Sequence, residues 1–228
     1  MQKNGNSKGS SSRERFDRIY SAIREKICLL EYEPGALLFE DELAKQFGVS
    51  RTPMRRVLSR LEAEGLVESQ HGVGTFVTDF DDDTLKEVYH FRLELASLMG
   101  RLTPLARSEE DLARMRALAG RGKRLAAAPT MSEFAKLNLD YSLELTSMIG
   151  NRPLKETAQR LFFLAIRIWI KTLEGDRLKT EADIFRHEIE DVLKALEIGD
   201  LESVGYLHRT HLSMSFVRLR HYLESKQE

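Results

Sequence analysis

The chain contains one cysteine, one tryptophan and five prolines in 228 residues, and it has no long apolar run. A lone Cys28 cannot close an intrachain disulfide, which excludes a disulfide-stapled scaffold, and its place in an apolar helical pattern suits a core role. The leading MQKNGNSKGSSS holds no apolar stretch fit for a signal peptide, and nowhere do the roughly 18 uninterrupted apolar residues of a membrane span occur. A cytoplasmic location with no membrane partner is therefore expected. The formal net charge of -1 excludes a global pull toward nucleic acid or anionic lipid, so any such attraction must come from charge placement. There is no Ser-His-Asp arrangement, phosphate-binding glycine loop or metal-ligand spacing, and six scattered histidines do not compose a site. Neither an enzyme nor a cofactor is expected.

Hydrophobic residues at 42% and charged residues at 31%, with little Pro or Gly, suit an ordered, mostly helical protein with room for two cores. Residues 1–12 read as a disordered tail. Phe16, Ile19, Ile23 and Ile27 then recur at helical spacing from Arg13 to about Leu30, where EPG stops the helix. Two short helices follow, about Asp41 to Phe47 and Arg51 to Glu64, divided by the turn GVS. Gly48 permits that turn, Ser50 is a natural N-cap, and Pro53 falls in the first helical turn, where its missing N–H costs nothing. LVES and GTFV, joined by QHGVG, predict a small β-hairpin. The acidic TDFDDDT predicts a linker over residues 79–83 that ends in a helix N-terminus, where carboxylates favour the dipole, with Asp81 to Asp83 as a hinge. From residue 84 to 228 only helical stretches occur, about six, separated by RSEE, AAPT, GNRP, EGDR and IGD.

The most informative stretch is GVSRTPMRRVLSR, residues 48–60, which places four arginines on the opening turns of one helix. Like charges at neighbouring helical positions repel, so the pattern implies an anion outside the chain that balances them. On a wheel of about 100° per residue, Met54, Val57, Leu58 and Leu61 fill one arc and leave Arg51, Thr52 and Arg55 pointing outward. A short helix, a tight turn and a second helix with guanidinium and hydroxyl groups at its N-terminus have the layout of a recognition helix. Arginine can donate two parallel hydrogen bonds to guanine O6 and N7, and helix N-terminal N–H groups suit phosphate. The bland alternative is a solvated basic face closed by pairs such as Arg60 with Glu64, or a helix that meets an acidic protein partner.

LLFEDELAKQFGVSRTPMRRVLSRLEAEGLVESQHGVGTFV, with the preceding YSAIREKICLLEYEPGALL, resembles the winged helix-turn-helix of the GntR family of bacterial transcription regulators. The all-helical remainder resembles the FadR-like branch with its effector-sensing FCD domain. The resemblance implies a mostly α fold: a winged helix-turn-helix over residues 13–78 with a small hairpin, then an all-α ligand-sensing and dimerisation domain over 84–228. It implies a homodimer on a palindromic double-stranded DNA operator, controlled by a small effector. It also implies DNA contacts from Ser50, Arg51, Thr52 and Arg55 on the helix and from His71 and Gly72 at the wing tip. Where relatives often carry arginine at the start of the preceding helix, this chain has Asp41, which leaves that contact out.

The FCD domain commonly holds a metal through one Asp and three His. Register from IGNRPL places Asn138 and Ser142 at the first two ligand positions, and register from Gly199 and Asp200 places Ile189 and His211 at the others. With three of four ligands replaced, no metal is expected. Asp140, Glu144 and His187 fall on the opposite faces of their helices and do not substitute. Arg92, in the stripe Val88, Leu95, Met99, and His211, in the stripe Val204, Leu207, are expected to face inward. An inward arginine demands an anion. Arg92, Asn138, Ser142, Ile189 and His211 are thus expected to line an effector cavity that takes a carboxylate, with Ile189 favouring a longer or greasier acid. The alternative is that Arg92 pairs with Glu94 or Glu144 and that His211 is a satisfied core histidine. The run LFFLAIRIWI, residues 161–170, reads as a central core helix with Trp169 as packing.

Overall fold

The computed structural model describes residues 6–79, 81–173 and 175–226. The chain divides into two compact units, Met1–Phe80 and Asp81–Glu228.

The first unit runs α1 (Asn6–Cys28), β1 (Leu37–Leu38), α2 (Glu40–Gln46), α3 (Arg51–Ala63), β2 (Val67–Gln70) and β3 (Gly74–Val77). Its core joins Ile19, Ile23 and Ile27 of α1 to Met54, Val57 and Leu61 of α3, all at most 1% exposed. A polar clasp rims that core. The Tyr20 hydroxyl donates to Glu64 Oε2 at 2.5 Å, and Arg60 Nε donates to Glu64 Oε1 at 3.0 Å. Helix α1 begins earlier than the sequence predicts, because Asn6 to Ser12 are helical, whereas residues 1–5 of the expected tail lie outside the described residues. Extending an existing helix adds one hydrogen bond per residue fixed without a new nucleation cost, so a polar stretch can continue it. The hairpin forms as expected, with Val67 opposite Val77 and Gln70 opposite Gly74. It gains a third strand that the sequence reading lacks. Leu37 and Leu38 pair antiparallel with Phe76 and Thr75, placing β3 in the centre.

The second unit is six helices among the described residues: α4 (Asp82–Leu98), α5 (Glu109–Ala127), α6 (Met131–Ser147), α7 (Arg152–Lys171), α8 (Asp176–Ile198) and α9 (Leu201–Ser225). The last five each start at or beside one of the predicted breakers. Five carry side-chain N-caps, from Asp81, Ser108, Thr130, Asn151 and Asp200. The expected hinge at Asp81–Asp83 is instead the start of α4. Asp81 accepts from Thr84 N at 2.7 Å, which holds its carboxyl below the usual range, and Asp82 and Asp83 form the first turn. Acids there favour the helix dipole, so the helix start expected at the end of this run falls inside it, at the residues expected to bend. Helix α5 packs on α8 and α4 on α9, and α7 contacts both α4 and α6. The segment 161–170 of α7 is buried except for a partly exposed Ile168, in keeping with a core helix. No helix among the described residues is long and apolar enough to cross a membrane.

Candidate nucleic-acid interface and ligand cavity

Helix α3 presents its arginines as the wheel predicts. Met54, Val57, Leu58 and Leu61 are buried, while Arg51, Thr52, Arg55, Arg56, Ser59 and Arg60 are exposed. Ser50 occupies the N-cap position in an extended conformation, yet its side chain makes no capping hydrogen bond, which corrects its expected role. The first N–H groups of α3 are thereby left for an outside acceptor. The exposed face borders a groove of about 760 Å³ between α2, α3 and the hairpin, walled by Arg51, Arg55 and Ser59 on one side and His71 and Gly72 on the other. His71 and Gly72 form the tip. Val73 N donates to Gln70 O at 3.1 Å to close the turn, and Gly72 takes φ 76°, which its missing Cβ allows. All six residues expected at a DNA interface are exposed on the first unit, but only Arg51, Arg55, His71 and Gly72 line this groove.

The charge on α3 is not left for an outside anion, contrary to expectation. Arg55 Nε and Nη2 donate to Glu40 Oε2 and Oε1, both at 3.1 Å. Arg51 Nη2 donates to Asp41 Oδ2, and Arg60 pairs with Glu64. Arg56 lies 5.8 Å from the centre of the Phe16 ring. The Arg51 and Arg55 side chains nonetheless remain 68% and 70% exposed. Exposed pairs of this kind contribute only about 0–1 kcal/mol to stability, and they leave guanidinium donors open for a further acceptor.

The second unit encloses a cavity of about 60 Å³ among α4, α6, α7, α8 and α9. Arg92, Asn138 and Ser142 line it, as expected; Ile189 and His211 do not. Ile189 is fully buried on the other side of α8, its Cδ1 3.5 Å from where a Cβ on Gly122 of α5 would stand. His211 turns toward Asp191, with Nε2 3.5 Å from Oδ2, and its buried Nδ1 has no hydrogen-bond partner. The positions they were expected to fill belong to Glu188 and His208, joined by a 3.0 Å hydrogen bond between Oε1 and Nδ1.

Arg92 pairs with neither Glu94 nor Glu144, which serve Arg209 and Arg114 instead. Its guanidinium lies 5.0 Å from the Tyr89 ring centre and 5.7 Å from that of Phe162. Burial pulls Arg92 below its ordinary value, against the opposing effects of Tyr89 and the Glu188 carboxylate. The Tyr141 hydroxyl is buried and makes no hydrogen bond of good geometry. Burial and the neighbouring Glu188 push it well above the usual phenol range. Asp140 and Glu144 pair with Arg121 and Arg114 outside the cavity, and His187 is exposed beside Asp183.

A family model for bacterial regulatory proteins of the gntR family matches residues 16–77, and the FCD domain model matches residues 87–214, more than half of the chain. The chain belongs to the GntR family. It is a bacterial transcription regulator with an FCD effector-binding domain, not an enzyme. This GntR regulator is 25% identical over 212 residues to the uncharacterized HTH-type transcriptional regulator YdhC of Bacillus subtilis, covering 92% of this chain and 93% of that one. It is 43% identical over 82 residues to an HTH-type regulator in an unstable DNA locus of Streptomyces ambofaciens, covering 35% of each. Its fold is similar to that of E. coli McbR/YncC, with TM-score 0.77 and 19% identity over 91% of this chain and 97% of that one.

The metal that the FCD resemblance implies does not suit this GntR regulator's cavity. The polar groups include one carboxylate, one imidazole, an amide, the hydroxyls of Ser142 and Ser215 and the phenols of Tyr89 and Tyr141, and the Arg92 guanidinium shares the space. Among the described residues no group of three or more His, Cys, Asp or Glu is placed to hold an ion. Tyr141, Glu188 and His208 are the cavity residues that sequence reasoning missed. His208 had a visible signal: it stands four residues from both Val204 and Leu212, which are buried.

Proposed function

We propose that this regulator binds a two-fold operator as a homodimer and that a small carboxylate in the second unit alters that binding. Residues 13–78 are the DNA-binding part in this reading, and residues 84–228 the sensing and dimerising part. The observation that carries it is the exposed arginine face of α3 opening with the wing tip onto one groove. Ser50, Arg51, Thr52 and Arg55 contact the major groove, and His71 and Gly72 reach its flank. Two such helices about one turn of DNA apart would read a palindrome, which is the basis for the dimer.

The ligand is held without metal. Arg92 receives the carboxylate, and the Asn138 amide and Ser142 hydroxyl, which have no protein partners among the described residues, complete its hydrogen bonds. The expectation of a long or greasy acid rested on Ile189 and is dropped, because that side chain faces α5. A cavity of about 60 Å³ has room for roughly two water molecules at about 30 Å³ each, which favours the shortest acids. Binding acts through its different affinities for DNA-competent and incompetent states.

The test begins with selection of a preferred duplex from a random pool, using the full chain. Arg51→Ala and Arg55→Ala should each weaken that duplex by roughly 1–3 kcal/mol and relax one base position. Unchanged affinity in both variants at fixed salt defeats the assignment. Thermal-shift titration with short carboxylic acids, repeated on Arg92→Ala, tests the cavity.

A further inference from the structure

We propose that Glu40 and Asp41 are positioning residues of the DNA interface: they aim Arg55 and Arg51 at base edges and suppress their attraction for phosphate at large. This rests on the reading that α3 enters a DNA groove. Four observations support it.

The Glu40 carboxylate occupies the side edge of the Arg55 guanidinium, Nε and Nη2, through two contacts of 3.1 Å. That leaves Nη1 and the outer N–H of Nη2, the end of the fork whose spacing matches guanine O6 and N7. A carboxylate on one edge therefore restricts the side chain to a small arc without consuming its base-reading donors. Asp41 engages only Nη2 of Arg51 and leaves its other donors open.

Charge gives the second reason. Two carboxylates face the two outward arginines in the same groove, so the pair of pairs is formally neutral. Non-specific affinity for DNA comes chiefly from uncompensated cations that release counterions. An arginine already matched with a carboxylate gains little from a random phosphate, yet it keeps the directional hydrogen bonds that distinguish a base.

The third reason is placement. Glu40 and Asp41 are the first two residues of α2, which packs on α3, so the carboxylates ride on a helix rather than a loop. The Glu40 side chain is only 25% exposed, a firmer support than the 57% of Asp41, which makes Arg55 the better-aimed of the two. Finally, the arrangement is not needed for stability. Exposed ion pairs contribute about 0–1 kcal/mol, so variants that lose them will fold.

The experiment uses the full chain, its selected duplex and a scrambled duplex of equal length, each titrated across a range of salt. Glu40→Gln, Asp41→Asn and the double variant are compared with wild type, Glu40→Asp, Arg51→Ala and Arg55→Ala. In the double variant the scrambled duplex should bind several-fold tighter, and the slope of log affinity on log salt should steepen by about one to two. The ratio of selected to scrambled affinity should fall at least tenfold. Glu40→Asp keeps the charge on a shorter arm, so it should retain the wild-type salt slope while losing part of the ratio. If slope and ratio are unchanged in the double variant while Arg55→Ala still weakens the selected duplex, the positioning role is wrong and the groove assignment stands. If neither arginine variant affects the selected duplex, or no sequence is enriched, the groove assignment itself fails.

Discussion

Replacing Tyr141 by Phe probes the cavity through a single oxygen atom. The residue is 2% exposed, and its hydroxyl is buried without a well-formed hydrogen bond. Its ring packs edge-on against Phe185 at 5.4 Å and against His208 at 6.4 Å, contacts that phenylalanine would keep. A buried polar group left unsatisfied costs about 1–3 kcal/mol, so removing it should stabilise the ligand-free protein by that order. At about 2–4 °C per kcal/mol for a chain of this size, thermal unfolding should shift upward by several degrees. The assay is calorimetry or circular dichroism on extensively dialysed protein. A second arm adds a bound short acid, whose stabilisation should be smaller in the variant because one donor is gone. A ligand-free variant that melts at or below the wild-type temperature would refute the reasoning, since the hydroxyl would then already have a partner, such as water held against Glu188.

Gly100→Ala should destabilise sharply, because its Cβ would lie 1.8 Å from the Leu201 carbonyl oxygen and force α4 and α9 apart. Overpacking of this kind costs about 1–3 kcal/mol or more, readable as a lower urea midpoint with unchanged slope. Glu181, 4% exposed, accepts from Arg218 Nε at 2.7 Å and Nη2 at 2.9 Å. Glu181→Gln should cost about 2–4 kcal/mol, at the lower end because Arg218 is 29% exposed; a change within experimental error would show that the pair is not a structural tie. Tyr20 is pushed up from 10.0 to about 12, first by burial and then by Glu64. A raised folded value means that its stabilisation is complete below pH 10 and is lost as pH climbs toward about 12. Tyr20→Phe should therefore remove part of the alkaline loss seen in pH-dependent denaturation, and an identical alkaline limb in both proteins would contradict it.

Helices, breakers and the wing were legible because they rest on local rules. A period of 3.6 residues separated Met54, Val57, Leu58 and Leu61 from the arginines, and turn chemistry around Gly48 and QHGVG placed the flanking elements. Strand β1 was not legible, because two leucines become a strand only through pairing with Phe76 and Thr75, some forty residues away. The balance of charge was missed for the same reason. Like charges along α3 are visible in sequence, but Glu40 stands fifteen residues from Arg55, and only the packing of α2 on α3 brings them together. A cluster of like charges on one helix is thus weak evidence for an outside anion until its neighbours are known. Here the neighbours convert the argument from quantity of charge to direction of donors.

The cavity shows where a helical wheel stops being sufficient. The stripe Phe185, Ile189, Val192, Leu196 is buried, but α8 is packed on two sides, by α5 and by α9. Burial alone cannot tell the side that faces a cavity from the side that faces a helix, and Glu188, one residue away, proved to be on the cavity side. On α9 the stripe Val204, Leu207 put His211 inward, whereas the buried positions run Val204, Leu212, Phe216 and Leu219. That longer series advances from Val204 by eight, twelve and fifteen, and His208, four residues along the same face, comes under the cavity roof. A shift of three residues on α9 therefore exchanged one histidine for another, and a shift of one residue on α8 exchanged an apolar side chain for a carboxylate. The consequence is chemical. A cavity read as Arg92 with Ile189 would ask only for an anion with an apolar tail. One built from Arg92, Glu188, His208 and Tyr141 offers a cation and a buried acceptor together, which under the proposed reading suits a small molecule that carries both a negative group and a hydrogen-bond donor.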